Sequence, residues 1–356
     1  MTPTRIAIIA SARFAIRQPF AGGLEAHTWT LARALRQRGH EVTVFAGPGC
    51  DPALDVREIP AQWPRISQAA RADVSMTAER WLEEHHAYLT LMLHLSRSGE
   101  FDVVHNNSLH HLPVAMAAAV ATPMVTTLHT PPTPWLESAI QAGPCPVTFV
   151  AVSAHTARAW RHSASAMVIR NGIDLDIWPA GPGGGPAIWF GRLVPEKGPD
   201  LAIRAARQAG LELDLVGPVA DAGYFEEHIR PQLGPTIRYL GHLDHSALAA
   251  RVGAATVTLV TPRWDEPYGL VVAESLACGT PVAGFDRGGV AEILAPDCGV
   301  LVDADDVSGL AEAAVRAGAL SRARARAHAV SACSLDAMID AYERLYARLI
   351  VRDDVA

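Results

Sequence analysis

The chain has 356 residues, of which 49% are apolar and 19% charged, with a formal net charge of -7. That length suits two domains, each large enough to bury its own core. The acidic balance argues against a nucleic-acid partner, and no apolar run approaches the roughly 18 residues of a membrane span.

In chain order, RIAIIA reads as a buried first strand. It is too short for a signal-peptide core, and Arg13 and Arg17 soon follow. An irregular stretch carries Gly22 and Gly23. Leu24, Thr28, Leu31 and Leu35 then recur at helical spacing, and Gly39 stops that helix. EVTVFA is the next strand, so the unit is the strand–helix–strand block of a parallel sheet. Residues 67–98 read as helical, FDVVH as a strand, 112–120 as a short helix, PMVTTLH as a strand ending at His129, and VTFVAVS as a strand followed by a helix. The Pro/Gly run near 175–186 reads as a linker or surface loop. A second alternating series follows: AIWF, a helix over PDLAIRAARQAG, LELDLVG, IRYLGHL, ATVTLVTP, a helix over GLVVAESLACG, TPVAGFD, and helices over 306–318 and 335–351. The expected class is therefore α/β, with two successive Rossmann-like domains.

The five cysteines form no C-x-x-C pair and read as reduced thiols of a cytoplasmic protein. Adjacent histidines on a helix point about 100° apart, so His85/His86 and His110/His111 read as poor ligand sets, and no metal site is expected. The arginines of SRARARAHA, 321–329, read as a solvated helical face.

The informative residues fall at strand ends and helix starts. Gly22 and Gly23 allow close approach of backbone amides to a phosphate, or simply make a tight turn. Arg192 and Lys197 in GRLVPEKG can stabilise a departing diphosphate without a metal; a solvated charged loop is the other reading. In EPYGLVVAE, Glu266 lies in a loop and Gly269 and Leu270 open a helix whose free amides can hold an anion. Glu274, one turn into that helix, can accept from both ribose hydroxyls, or serve only as an acid near a helix start. His129, at a strand end, is either a sugar contact or a structural histidine. Trp135 is either an acceptor platform or domain packing.

In order, AGGLE, TLHT, AVSAHT, IRNGID, GRLVPEKG and EPYGLVVAESLACGTPVAGFDRGGVAEI closely resemble the family 4 retaining glycosyltransferases (glycosyl transferases group 1) over roughly residues 5–345. The resemblance implies the GT-B fold: two Rossmann-like domains facing across a cleft. The expected domains are an acceptor-binding domain over 1–175, a nucleotide-sugar-binding domain over 176–335, and a final helix over 336–356 that packs back on the first domain. It implies catalytic roles for His129, Arg192, Lys197 and Glu266. It implies donor contacts at Gly22, Gly23, Tyr268, Gly269, Leu270 and Glu274, with discrimination between bases near Gly217 and His242. A UDP-sugar donor is favoured over a GDP-sugar. The acceptor is a small molecule, glycan or lipid-linked hydroxyl, and contact with a membrane surface is open. Transfer is expected to retain configuration by a front-face route and to need no cofactor or metal. A loop arginine such as Arg13 or Arg17 would suit a negatively charged or lipid-linked acceptor, or is simply a surface arginine. The alternatives on this architecture are a sugar-nucleotide epimerase and a non-catalytic sugar-nucleotide-binding protein.

Overall fold

A computed structural model of the chain describes residues 3–60 and 62–353. The chain divides into two compact units. The first comprises the described residues of 1–151, 157–168 and 341–356, and the second comprises 152–156 and 169–340.

The strands are β1 (Arg5–Ile9), β2 (Glu41–Ala46), β3 (Val56–Glu58), β4 (Val103–Asn106), β5 (Met124–Leu128), β6 (Val147–Ala151), β7 (Ala166–Val168), β8 (Ala187–Phe190), β9 (Leu213–Val216), β10 (Ile237–Tyr239), β11 (Thr258–Val260), β12 (Val282–Phe285) and β13 (Gly299–Val302). The helices are α1 (Gly23–Gln37), α2 (Gln68–Arg71), α3 (Glu79–Leu95), α4 (Leu112–Ala115), α5 (Pro134–Gln141), α6 (Ala154–Trp160), α7 (Pro199–Ala209), α8 (Ala222–Tyr224), α9 (His245–Ala254), α10 (Leu270–Ala277), α11 (Val307–Gly318), α12 (Arg322–Ala332) and α13 (Leu335–Asp353).

The first unit holds a parallel sheet ordered β3-β2-β1-β4-β5-β6-β7, and the second a parallel sheet ordered β10-β9-β8-β11-β12-β13. Continuous apolar runs suit strands covered on both faces, and β1, β4, β5, β8 and β9 are buried almost throughout. Strand order reverses between β1 and β4 in one sheet and between β8 and β11 in the other. Ligands of such sheets bind beyond the carboxyl ends of the strands at this reversal. The loops after β1, β4, β8 and β11 are therefore the places to look for chemistry.

Three local expectations are corrected. Residues 67–98 are not one helix. Asp73 Oδ1 accepts from Ser75 N (2.8 Å) and Ser75 Oγ (2.5 Å), and this turn separates α2 from α3. His110 and His111 are not helical; they lie in the loop between β4 and α4. The arginines of α12 are not all on a solvated face. Arg322 donates to the carbonyls of Gly253 (2.7 Å), Ala255 (2.9 Å) and Cys278 (3.1 Å), and Arg326 to those of Trp178 (2.5 Å) and Ala277. A guanidinium carries five donors, so one side chain reaches several carbonyls, among them those at the last turns of α9 and α10.

The last helix has its later turns in the first unit. Tyr342 and Tyr346 are buried there around His105. His105 Nδ1 lies 2.6 Å from the Tyr346 hydroxyl, its Nε2 lies 2.8 Å from Thr127 Oγ1, and Thr127 Oγ1 lies 3.1 Å from the Tyr342 hydroxyl. Burial lowers the His105 pKa to about 3, so the ring is neutral and the network is an uncharged one. Glu343 adds a 3.0 Å contact with His40 Nε2.

Candidate active site

In the second unit, the loops after β8 and β11 are fastened to each other. Arg263 N donates to Glu196 O (2.8 Å), and its guanidinium donates to Pro195 O (3.0 Å) and pairs with Asp200 (2.5 Å). Trp189 Nε1 donates to Thr261 Oγ1 (3.0 Å), which donates onward to Gly198 O (2.8 Å). With its polar groups satisfied in this way, a loop keeps one geometry.

That geometry brings Lys197 onto Glu266, Nζ to Oε2, at 2.5 Å. The side chains are only 22% and 16% exposed, so the pair is partly desolvated. Trp264 completes the group. Its Nε1 donates to the same Glu266 oxygen (3.0 Å), and Lys197 Nζ lies 4.9 Å from the centre of its ring. The backbone around Glu266 is held from behind. Gly289 N donates to Glu266 O (2.6 Å), and a Cβ at Gly288, where φ is +70°, would meet Glu266 O at 2.2 Å. Only glycine permits that approach in that backbone conformation. Ser153 Oγ (2.5 Å) and Thr156 Oγ1 (3.1 Å) donate to Pro267 O, so the AVSAHT segment also steadies this loop.

Tyr268 is buried, with its hydroxyl donating to Asn171 O (2.8 Å). Gly269 is the N-cap of α10, and no side chain caps that helix. Its first amides therefore remain available to an anion. One turn on, the Glu274 carboxyl has no hydrogen-bond partner among the described residues, and burial raises its pKa to about 8. A half-buried carboxyl left unmatched by the protein points to a ligand as its partner. Arg192 lies on the same loop as Lys197 but is not drawn into the Lys197–Glu266 group; it sits 3.8 Å from Glu196 and is about two-fifths exposed. Gly217 follows β9 with φ +141°, and a Cβ there would meet Gly191 O at 1.8 Å. The backbones after β8 and β9 thus touch where a side chain would separate them. Gly217 N donates to Gly241 O (2.9 Å), beside His242.

In the first unit, His129 directly follows β5 and its Nε2 lies 2.8 Å from Asn107 Oδ1, just past β4. Its ring meets that of His27 edge-on at 5.0 Å. Burial, with His27 and His105 nearby, holds the His129 pKa well below the usual histidine value. Burial likewise lowers His27 to about 4. His27 Nε2 and Asn107 Nδ2 are buried with no partner among the described residues. Gly22 is the extended N-cap of α1, the helix that carries His27, and no side chain caps it. Arg13 grips Glu84 through Nε (2.5 Å) and Nη2 (2.8 Å), beside a cavity of about 250 Å³ that Trp63 and Arg80 also line. Its charge is thereby balanced within the unit.

Reasoning from sequence missed Trp264, Arg263, Asp200, Thr261, His27 and Asn107. Of these, Trp264 carried a signal: an aromatic residue two positions before the loop glutamate.

Residues 21–177 match the family described as Glycosyltransferase Family 4, and residues 186–328 match Glycosyl transferases group 1. A glycogen synthase of Mycobacterium tuberculosis is 31% identical, the alignment covering 85% of each chain. The chain belongs to the family 4 glycosyltransferases. It is also 29% identical to a phosphatidyl-myo-inositol mannosyltransferase of Mycolicibacterium smegmatis, over 86% of each chain. Among solved structures, sucrose-phosphate synthase from Thermosynechococcus elongatus matches with TM-score 0.78 and 20% identity, over 98% of this chain and all of the other. Anabaena HepE, solved with UDP-glucose, matches with TM-score 0.75 and 17% identity, over 97% of this chain and all of the other. This glycosyltransferase therefore has the GT-B fold, and the expectations of family, fold and enzyme class are met. Among its described residues, no helix is long and apolar enough to cross a membrane.

Proposed function

We propose that this glycosyltransferase moves a hexosyl group from a nucleoside-diphosphate sugar to an acceptor hydroxyl, with retention of configuration and without a metal at the diphosphate. The observation that carries the reading is the Lys197–Glu266–Trp264 group at the strand-order reversal of the second sheet. Donor binding gives both charged members a new partner. Lys197 turns to the diphosphate and Glu266 to the sugar hydroxyls, so neither desolvated charge is left alone. The α10 amides face a phosphate oxygen, and the ionised Glu274 carboxylate accepts from the ribose hydroxyls.

The acceptor oxygen then bonds to the anomeric carbon on the face from which the diphosphate departs. The carbon–oxygen bond to the diphosphate breaks with its electron pair, and a diphosphate oxygen takes the acceptor's proton. Lys197 and Arg192 stabilise the growing negative charge by position rather than by forming a covalent bond. This route needs no pair of carboxylates arranged as in a glycosidase. His129, neutral and oriented by Asn107, serves as a hydrogen-bonding contact for the sugar. A UDP-sugar is the favoured donor; HepE, solved with UDP-glucose, shares the fold.

The test is thermal melting against UDP, GDP, ADP and the corresponding sugar nucleotides in EDTA. At 100 times the dissociation constant, a true ligand stabilises by about 2.7 kcal/mol, a readily measured shift. A shift confined to one nucleotide names the base. No shift with any of them removes the donor assignment. Nucleotide release that starts only when acceptor is added separates transfer from binding alone, and NMR of the product's anomeric proton decides retention.

Trp264 separates two contributions at this site. Trp264→Phe keeps a ring under Lys197 and loses the donor to Glu266. A hydrogen bond to a charged group is worth about 1.5–3 kcal/mol, so kcat/KM falls roughly ten- to a hundredfold. Trp264→Leu also loses the ring face and falls further. Equal values for the wild type and Trp264→Phe would show that the indole N–H does nothing for Glu266.

A further inference from the structure

Three imidazoles that the transfer reaction does not use meet in the first unit. His85 comes from α3, and His110 and His111 from the loop after β4. One ring nitrogen of each lies within 4.8 Å of those of the other two. The rings of His110 and His111 are 4.4 Å apart and nearly parallel. The flanking indoles hold the other faces: Trp81 stacks on His85 at 5.2 Å, and Trp135 on His111 at 5.1 Å. All three histidines are half-buried, and His85 Nδ1 is buried with no partner among the described residues.

We propose that His85, His110 and His111 bind one first-row divalent transition-metal ion, zinc being the best fit, with the fourth coordination position open to water or a ligand. The donor set decides the class of ion. Imidazole nitrogens suit zinc, cobalt, nickel and copper, whereas magnesium and calcium take oxygen ligands. Tetrahedral zinc with bonds of about 2.0–2.1 Å needs nitrogens roughly 3.4 Å apart, so modest ring rotation closes the triad. The rings are ready for this. Burial, followed by His111 and His85, lowers the His110 pKa to about 3, and burial also lowers that of His111. Neutral imidazoles need not lose a proton to bind a metal. His110 Nδ1 now accepts from Leu112 N at a long 3.2 Å. A neutral ring so arranged has Nδ1 as its unprotonated nitrogen, so ligation exchanges that bond for the metal. Leu112 N–H opens α4 and has no acceptor within the helix, so the exchange forfeits one long hydrogen bond. Glu84, next to His85, is held by Arg13 through both oxygens and so leaves the fourth position free. The ion would clip α3 to the loop after β4. Arg192, Lys197 and Glu266 belong to the other unit, and the metal proposal does not depend on the proposed transfer.

The experiment is titration of metal-stripped, tag-free protein with Co²⁺, followed by visible absorption, displacement by Zn²⁺ and thermal melting. The expected result is one saturable equivalent, displaced by Zn²⁺ and raising the melting temperature, while Mg²⁺ has no effect. Loss of an outer-shell partner costs about 10–100-fold in affinity, so removal of a ligand should cost at least tenfold. His85→Gln, His111→Ala and His110→Asn should each show that loss, the last retaining an acceptor for Leu112. His86→Ala, a neighbouring histidine outside the triad, should bind as the wild type does. Circular dichroism and a cooperative melt identify the variants that are folded. No saturable equivalent, equal stabilisation by Mg²⁺, or wild-type affinity in folded His85→Gln and His111→Ala overturns the site.

Discussion

Lys197→Ala should lower kcat by about two to three orders of magnitude, the usual cost of removing one oriented donor to developing negative charge. Lys197 sits at the strand-order reversal, holds Glu266 at 2.5 Å and has the Trp264 ring beneath its ammonium. The truncation has a second effect that must be separated from the first. It leaves the Glu266 carboxylate desolvated without its cation, and breaking one side of such a pair is itself destabilising. A lower melting temperature in Lys197→Ala is therefore expected and says nothing about catalysis. Adding Glu266→Gln removes the stranded charge. If Lys197 acts on the leaving diphosphate, the double variant recovers stability but not rate. Steady-state kinetics at saturating donor reads the outcome. A fall of less than threefold in kcat excludes Lys197 from charge stabilisation, and recovery of rate in the double variant would make the pair structural.

Glu274→Gln should abolish the nucleotide-induced thermal shift while making the ligand-free protein more stable in alkali. Burial raises this carboxyl from an ordinary 4.5 to about 8 in the folded chain. Below about pH 4.5 the carboxyl is protonated in both the folded and unfolded chains, and the shift has no effect. Between 4.5 and 8 the unfolded chain has lost the proton that the folded chain keeps, so stability falls as pH rises. Above 8 the full penalty is present, at most about 5 kcal/mol for a displacement of this size. Glutamine carries no such penalty, so the two melting curves converge in acid and separate toward pH 8. Ribose hydroxyls donate best to the ionised carboxylate, so nucleotide binding at neutral pH releases a proton, and wild-type affinity rises with pH up to about 8. Calorimetry in two buffers of different ionisation enthalpy counts that proton. Affinity independent of pH, or an undiminished shift in Glu274→Gln, would remove Glu274 from the donor site.

Much of this molecule could be read without coordinates. Alternation of short apolar runs with amphipathic stretches is a local property, and Gly39 and Gly210 terminate helices with φ of +89° and +67°, as glycine in those places should. The segment 266–274 stood out for the same reason, because a loop acid, a glycine and a helix start lie within nine residues. What escaped were contacts between residues distant in sequence. Trp264 and Lys197 are 67 positions apart, and nothing local in either marks one as the platform for the other. Arg322 and Arg326 read as solvated because a helix rich in arginine usually is; their carbonyl partners lie 44 to 151 residues away. His110 and His111 read as poor ligands only on a helical geometry, which the loop after β4 does not have.

Order and periodicity along the chain therefore determined the family, the two parallel α/β units and the loops where chemistry belongs, because helix, strand and turn formation depend on near neighbours. Only the tertiary structure decided which charges meet. It paired Lys197 with Glu266 while leaving Arg192 outside, left the Glu274 carboxyl without a partner, and gathered three histidines from two elements. Such pairings depend on strand order and loop path, which bring together residues whose separation in sequence carries no information about their distance in space.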